Sequence, residues 1–245
     1  MGKTLIVVNG SSIGEMKIAK HFLPEAENIE IKGFKYPFEF DVRGPYKTKE
    51  DAIKPFRKYL GMNLDSFGRI ALWHGNSVSD KLFVLFFSLY LDRPFYKIDL
   101  YQYADGLDVI RVGFPCLNLS SLIGKEVLVS ETELHCLHKE AMDILGPGSG
   151  LYASNSNSEL IEAKVEDYKG WFSEFLSNNN YSFPLNPLIS KLLVSLKYNS
   201  IEFCEEIIRR LLKEGFLSAH NSLSGKPVFT FRHDYRNVII QLSNR

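Results

Sequence analysis

Five consecutive residues near the N-terminus, Thr4-Leu5-Ile6-Val7-Val8, carry no charged or amide side chain and are mostly β-branched. A strand with no polar face has to be covered on both sides, which is the environment of a parallel sheet sandwiched by helices. The run stops at Asn9-Gly10, and Ser11-Ser12-Ile13-Gly14 leads into a helical pattern from Glu15 to about Phe22. The period then returns to two over Asn28 to Phe34, where Ile29 and Ile31 alternate with polar residues. Further strands are expected at Arg69 to Trp73, at Phe95 to Leu100 and at Val109 to Val112. Between them lie an aromatic, proline-containing loop from Tyr36 to Lys49 and a helix from Glu50 to Leu60. Pro55 should sit in or near the first turn of that helix, or kink it. Ser77, with Asp80 three residues on, predicts an N-cap for a helix running to Leu91. Ser130 with Glu133 predicts a capping box for one running to Leu145. Strands that alternate with helices make βαβ units with right-handed crossovers, hence an α/β domain built on a mostly parallel open sheet with flanking helices.

Gly146-Pro147-Gly148-Ser149-Gly150 ends the last of these helices and marks a boundary between an α/β domain, 1–146, and a smaller C-terminal domain, 151–245. The second domain reads as mainly helical: Ser158 to Leu176, a break at Asn178-Asn179-Asn180, then Pro187 to Leu196 and Ile201 to Leu212. Phe229 to Phe231 and Val238 to Leu242 alternate like a closing β-hairpin, so the outline is winged-helix-like.

Composition narrows the partners. With 45% hydrophobic and 24% charged residues the chain can build a core, and disorder is not expected. Lys plus Arg equals Asp plus Glu at 29 each, so no whole-protein field attracts nucleic acid or an anionic membrane. The apolar stretch Leu82 to Leu91 is half of the ~20 residues a membrane span needs and reads as a buried helix. Cys116, Cys136 and Cys204 are far apart and odd in number, as expected of free thiols in a reducing cytoplasm. The N-terminus lacks the features of a signal peptide.

Two loops could bind a ligand. Asn9-Gly10-Ser11-Ser12-Ile13-Gly14 follows a strand and opens a helix, where backbone N–H groups and hydroxyls can meet a phosphate or carboxylate. It is neither G-x-G-x-x-G nor a P-loop, and a plain βα turn capped by Ser11 or Ser12 is the simpler reading, since most such turns bind nothing. Trp73-His74-Gly75-Asn76-Ser77 occupies the same kind of position. Trp73 would offer a flat apolar surface, His74 a group titrating near neutrality, and Asn76 both a donor and an acceptor. The alternative is a polar helix cap with an idle histidine, and Asp99 and Asp41 are the candidate acid partners if His74 is used. Arg43, beside Gly44-Pro45, can present a guanidinium to an anion or pin its own loop. If the two strands are neighbours, both loops line one crevice and a small anionic or nucleotide-like ligand fits there.

Other patterns compete. His135-Cys136-Leu137-His138, flanked by Glu131 and Glu140, places two imidazoles on one helix face, but surface histidines account for it and no metal site is assigned. Arg209, Arg210 and Lys213, with Lys226, Arg232, His233 and Arg236, could contact nucleic acid phosphates through the C-terminal domain. Glu202, Glu205, Glu206 and Glu214 on the same helix oppose that, which leaves a regulatory protein partner or a second copy of the chain as the other candidates. Neither a catalytic residue nor a cofactor is identified.

The Asn9-Gly10-Ser11-Ser12 loop, the Gly44-Pro45 loop and the segment Leu72-Trp73-His74-Gly75-Asn76, followed by the Leu/Phe-rich helix, together resemble the bacterial family catalogued as domain of unknown function 1835. The resemblance covers roughly residues 3–135, and the C-terminal domain is similar to a partner domain found with that family. It implies that the two strand-exit loops matter; it implies no mechanism. Ser11 stands where an Asp is commoner in the family.

Overall fold

The structure is a computed structural model that describes residues 2–9, 17, 20–21, 23, 26–34, 46–61, 64–103, 119–148, 150–155, 159–196, 199–228 and 237–243. The chain divides into two compact units, Met1–Gly148 and Ser149–Arg245, inside the glycine- and proline-rich segment.

The first unit is built on a five-stranded sheet: β1 (Lys3–Asn9), β2 (Ile29–Phe34), β3 (Phe67–His74), β4 (Tyr96–Asp99) and β5 (Val127–Leu128), in the order β2-β1-β3-β4-β5. All pairings are parallel except β4 with β5. Its fully described α-helices are α1 (Lys49–Leu60), α2 (Val78–Leu91) and α3 (Glu131–Ile144). The double-sided burial expected of the first strand holds, since Leu5, Ile6, Val7 and Val8 are all fully buried.

One face of the sheet gathers Ile6, Val8, Ile29, Ile31, Ala71, Trp73 and Ile98, with Leu119 and Leu122 from the segment before β5. Leu23, on the return from β1 to β2, packs against this face. The opposite parity, Leu5, Val7, Ile70 and Leu72, belongs to the other face. The β2→β3 and β3→β4 crossovers run in one direction and the β1→β2 crossover in the other, so right-handedness sends them to opposite faces. Phe56 of α1 stacks on Phe83 and Tyr90 of α2, so these two helices share a layer. Helix α2 is buried almost all round, as its apolar sequence predicts.

Local expectations needed some correction. Helix α1 starts at Thr48, whose side chain accepts the Asp51 N–H in a full capping box, so Pro55 lies in the middle of the helix rather than its first turn. Ser130 accepts the Glu133 N–H, but Glu133 does not close the box: its Oε1 sits 2.6 Å from Lys97 Nζ on β4. A tertiary ion pair takes the carboxylate that the local motif would have used. The strand expected at Val109 to Val112, the helix Glu15 to Phe22 except Lys17, Lys20 and His21, and the loop Tyr36 to Pro45 lie outside the described residues.

The second unit opens on a hairpin, β6 (Tyr152–Ser154) with β7 (Leu160–Glu162). The helix expected from Ser158 therefore begins later, as α4 (Glu166–Ser177), because Leu160 and Ile161 pair with a strand instead of continuing a helix. Next come β8 (Ser182–Pro184), α5 (Leu185–Leu196), α6 (Ile201–Lys213), β9 (Leu217–Asn221) and β10 (Val238–Leu242). The three-stranded sheet is antiparallel in the order β8-β10-β9. The order α4–β8–α5–α6–β9–β10, with the last strand central, agrees among the described residues with the winged-helix-like outline expected from the sequence. Val238–Leu242 pairs with Leu217–Asn221 on one edge and Ser182–Pro184 on the other; Phe229 to Phe231, expected to pair with it, lies outside the described residues. Buried Asn199 ties the α5–α6 turn to the hairpin by donating from Nδ2 to the Tyr152 carbonyl at 2.8 Å.

Candidate ligand site at the strand exits

Strand order decides whether the two candidate loops share one place. β1 and β3 are adjacent and parallel, with Val8 in register with Trp73, so Asn9 and His74 end their strands side by side at one edge. Because the crossovers after these strands cover opposite faces, this is the topological switch point of the sheet, where open α/β folds hold ligands. The continuation of the first loop, Gly10, Ser11, Ser12 and Gly14, lies outside the described residues, as do Arg43 and Asp41.

Trp73 is not a ligand surface. Its side chain points into the core face and is fully buried, and its indole N–H donates to Glu126 Oε1 at 2.9 Å. The other carboxylate oxygen of Glu126 accepts from Arg69 at 2.8 Å and from the Gly124 N–H at 2.8 Å. Only 2% of the Glu126 side chain is exposed, and the Arg69 guanidinium lies over the Tyr96 ring, 4.0 Å from its centroid. A buried carboxylate thus receives three donors, and the network anchors β3, β4 and the segment entering β5. Sequence reasoning missed Glu126 because nothing local marks a residue that acts 53 positions away from its partner.

Ser77 is likewise committed. Its hydroxyl accepts the Asp80 N–H at 3.0 Å and its own backbone N–H donates to Asp80 Oδ2 at 3.3 Å, a complete capping box. That carboxylate explains Gly75: a β-carbon there would lie 2.7 Å from Asp80 Oδ2.

His74 and Asn76 remain. His74 Nδ1 is 2.7 Å from the Gly75 carbonyl oxygen, while Nε2 is shielded from solvent with no hydrogen-bond partner among the described residues. Asn76 Oδ1 is in the same condition. Asp99, the last residue of β4, is in register with His74, so both side chains start from the same sheet face. Its Oδ1 accepts the Tyr101 N–H at 2.9 Å and starts the short 3-10 turn that follows.

The competing sites are plainer. His138 Nε2 donates to the Ser88 carbonyl at 3.0 Å, closing the end of α2, and His135 and Cys136 are exposed. No group of three potential metal ligands occurs among the described residues. On α6, Arg209 pairs with Glu205 at 2.6 Å and Glu206 at 3.0 Å, and Arg210 pairs with Glu206 at 2.9 Å. The groove beside them also holds Lys164, Glu166, Lys213 and Glu214, so cations and carboxylates alternate along it. Arg232, His233 and Arg236 lie outside the described residues. No described helix is long and apolar enough to cross a membrane.

Comparison with family models, curated proteins and solved structures finds no match for this chain.

Proposed function

We propose that the first unit binds a small anionic or nucleotide-like ligand in the crevice between the exits of β1 and β3. The observation that carries this reading is the adjacency of two parallel strands whose crossovers diverge, with buried, unpartnered polar atoms on His74 and Asn76 at that edge. The residue types after Asn9 (glycines and serines) suit the approach of a phosphate to backbone N–H groups. The family resemblance points to the same loops. No catalytic role is assigned to any residue.

The test is calorimetry of the full chain with inorganic phosphate, nucleotides, dinucleotides, sugar phosphates and a short DNA duplex. A ligand at 100 times its dissociation constant stabilises by about 2.7 kcal/mol, which raises the transition of a unit this size by roughly 5–10 °C. The expected result is a rise in the first unit's transition with a small phosphorylated compound, lost in His74→Ala. A rise with DNA alone would move the function to the second unit. Against that outcome, Arg209 and Arg210 already spend their donors on the helix's own carboxylates.

A further inference from the structure

The end of the sheet opposite the crevice holds a cavity of about 280 Å³, whose lining includes Lys3, Lys17, Lys20, Glu27, Asn28 and Glu30. Lys3 opens β1 and Asn9 ends it, so at ~3.3 Å per residue the cavity lies about 20 Å from the crevice. No small ligand spans both. We propose that this cavity is a second site, which holds the phosphoryl group of inorganic phosphate or of a phosphate monoester. It stands independently of the crevice reading.

Charge carries the assignment. Lys17 and Lys20 are helical and three residues apart, so they share a face, and Lys3 reaches the same cavity from β1. None of the three makes an ion pair with any described residue. Lone lysines are common on surfaces, but three that line one concavity repel one another and focus a positive field there. The carboxylates at the rim do not cancel it. Glu30 pairs with Lys32 at 3.2 Å, and Glu27 stands exposed on the 3-10 turn Ala26–Asn28 without an ion pair among the described residues. Three ammonium groups against one unpaired carboxylate leave two positive charges, and a phosphate monoester carries about −1.5 to −2 at pH 7. Asn28 adds an amide donor to the same wall. The volume suits a phosphoryl group with a few attached atoms, and lies below the ~300–1,000 Å³ of cavities for drug-sized ligands.

Isothermal titration of the full chain at low ionic strength tests this with inorganic phosphate, glycerol 3-phosphate, phosphatidic acid vesicles and a short DNA duplex. Inorganic phosphate and glycerol 3-phosphate are expected to bind the wild type, and to bind His74→Ala as well, because the crevice is not involved. Replacing both lysines, Lys17→Gln with Lys20→Gln, should weaken that binding about tenfold, and Glu27→Gln should tighten it about threefold, the scale of exposed charge pairs. Affinity should also fall below about pH 6, where the dianion takes up a proton. These side chains make no ion pair within the protein, so the variants should melt with the wild type, which separates lost binding from lost folding. Vesicles that bind in addition would make a lipid headgroup the source of the phosphoryl group; vesicles that do not would leave a soluble one. Binding of neither soluble compound would overturn the site, and so would equal binding by the wild type and the double lysine variant. A response to the vesicles alone or to the duplex alone would also overturn it, because the lysines would then serve a broad surface. Loss of all phosphate binding in His74→Ala would give the anion to the crevice and refute the second site.

Discussion

Replacing Glu126 by Gln changes one atom and should still damage the first unit severely. The carboxylate takes three donors: the Trp73 indole, the Arg69 guanidinium and the Gly124 amide. An amide offers one oxygen. If that oxygen stays with Trp73, the new NH2 faces both Arg69 and Gly124, two donors that cannot bond to it. Arg69 keeps its charge with a third of its side chain exposed, and the opposing charge is gone. Breaking a buried ion pair from one side costs about 3–5 kcal/mol, and at about 2–4 °C per kcal/mol for a unit of this size the transition should fall by roughly 6–20 °C. The assay is scanning calorimetry alongside tryptophan emission in a Trp171→Phe background, which leaves Trp73 as the reporter. The triple replacement Trp73→Phe, Arg69→Met, Glu126→Leu should recover part of the loss, because it removes the indole and the guanidinium together with the carboxylate and leaves only the Gly124 N–H without its acceptor. A Glu126→Gln protein that melts within 1–2 °C of the wild type, roughly the effect of 0.5 kcal/mol, would refute the reasoning. It would show that the three donors are satisfied without the charge.

Three further outcomes are expected. Pro55→Ala restores the N–H that the middle of α1 lacks and removes the ring from the Asp51 carbonyl, so urea unfolding should show a gain of about 1–3 kcal/mol, reduced by the freer unfolded chain. Gly75→Ala drives a β-carbon onto the Asp80 carboxylate and should cost about 1 kcal/mol, the scale of a lost N-cap, with a smaller effect in an Asp80→Ala background. Burial, with Asp167 and Cys204 adding to it, raises the Tyr168 phenol above its ordinary range. The folded state therefore holds that proton after the unfolded chain has begun to lose it. The second unit should keep its stability below about pH 10 and lose up to ~1.4 kcal/mol per pH unit above it, a slope that Tyr168→Phe abolishes in alkaline melts.

Much of the architecture is legible without coordinates because it rests on interactions within a few residues. The unbroken apolar run Leu5–Val8, the capping of α2 by Ser77 and Asp80, and the apolar circumference of α2 all follow from side-chain period and from hydrogen bonds three or four residues apart. The same local logic picked out His74, Gly75 and Asn76 as a strand exit opening a helix. It failed where the deciding partner is distant. Trp73 reads as an exposed plane until Glu126 arrives beside it, and Glu133 reads as half of a capping box until Lys97 of β4 takes its carboxylate. Leu217–Asn221 does not read as a strand until Val238–Leu242 pairs with it, because only Leu217 and Ala219 mark its buried face.

Strand order is the clearest case of a property the local pattern does not contain. Nothing in Thr4–Val8 or Arg69–Trp73 says that the two strands are neighbours, since parallel pairing is chosen by the crossovers and by the shared core of the whole sheet. The sequence alone determined the strands β1 to β4 and the helices α1 to α3 of the first unit, and which loops hold polar residues at their ends. The tertiary structure decided that two of those ends lie together, because contacts between segments some sixty residues apart depend on packing and not on any repeat along the chain.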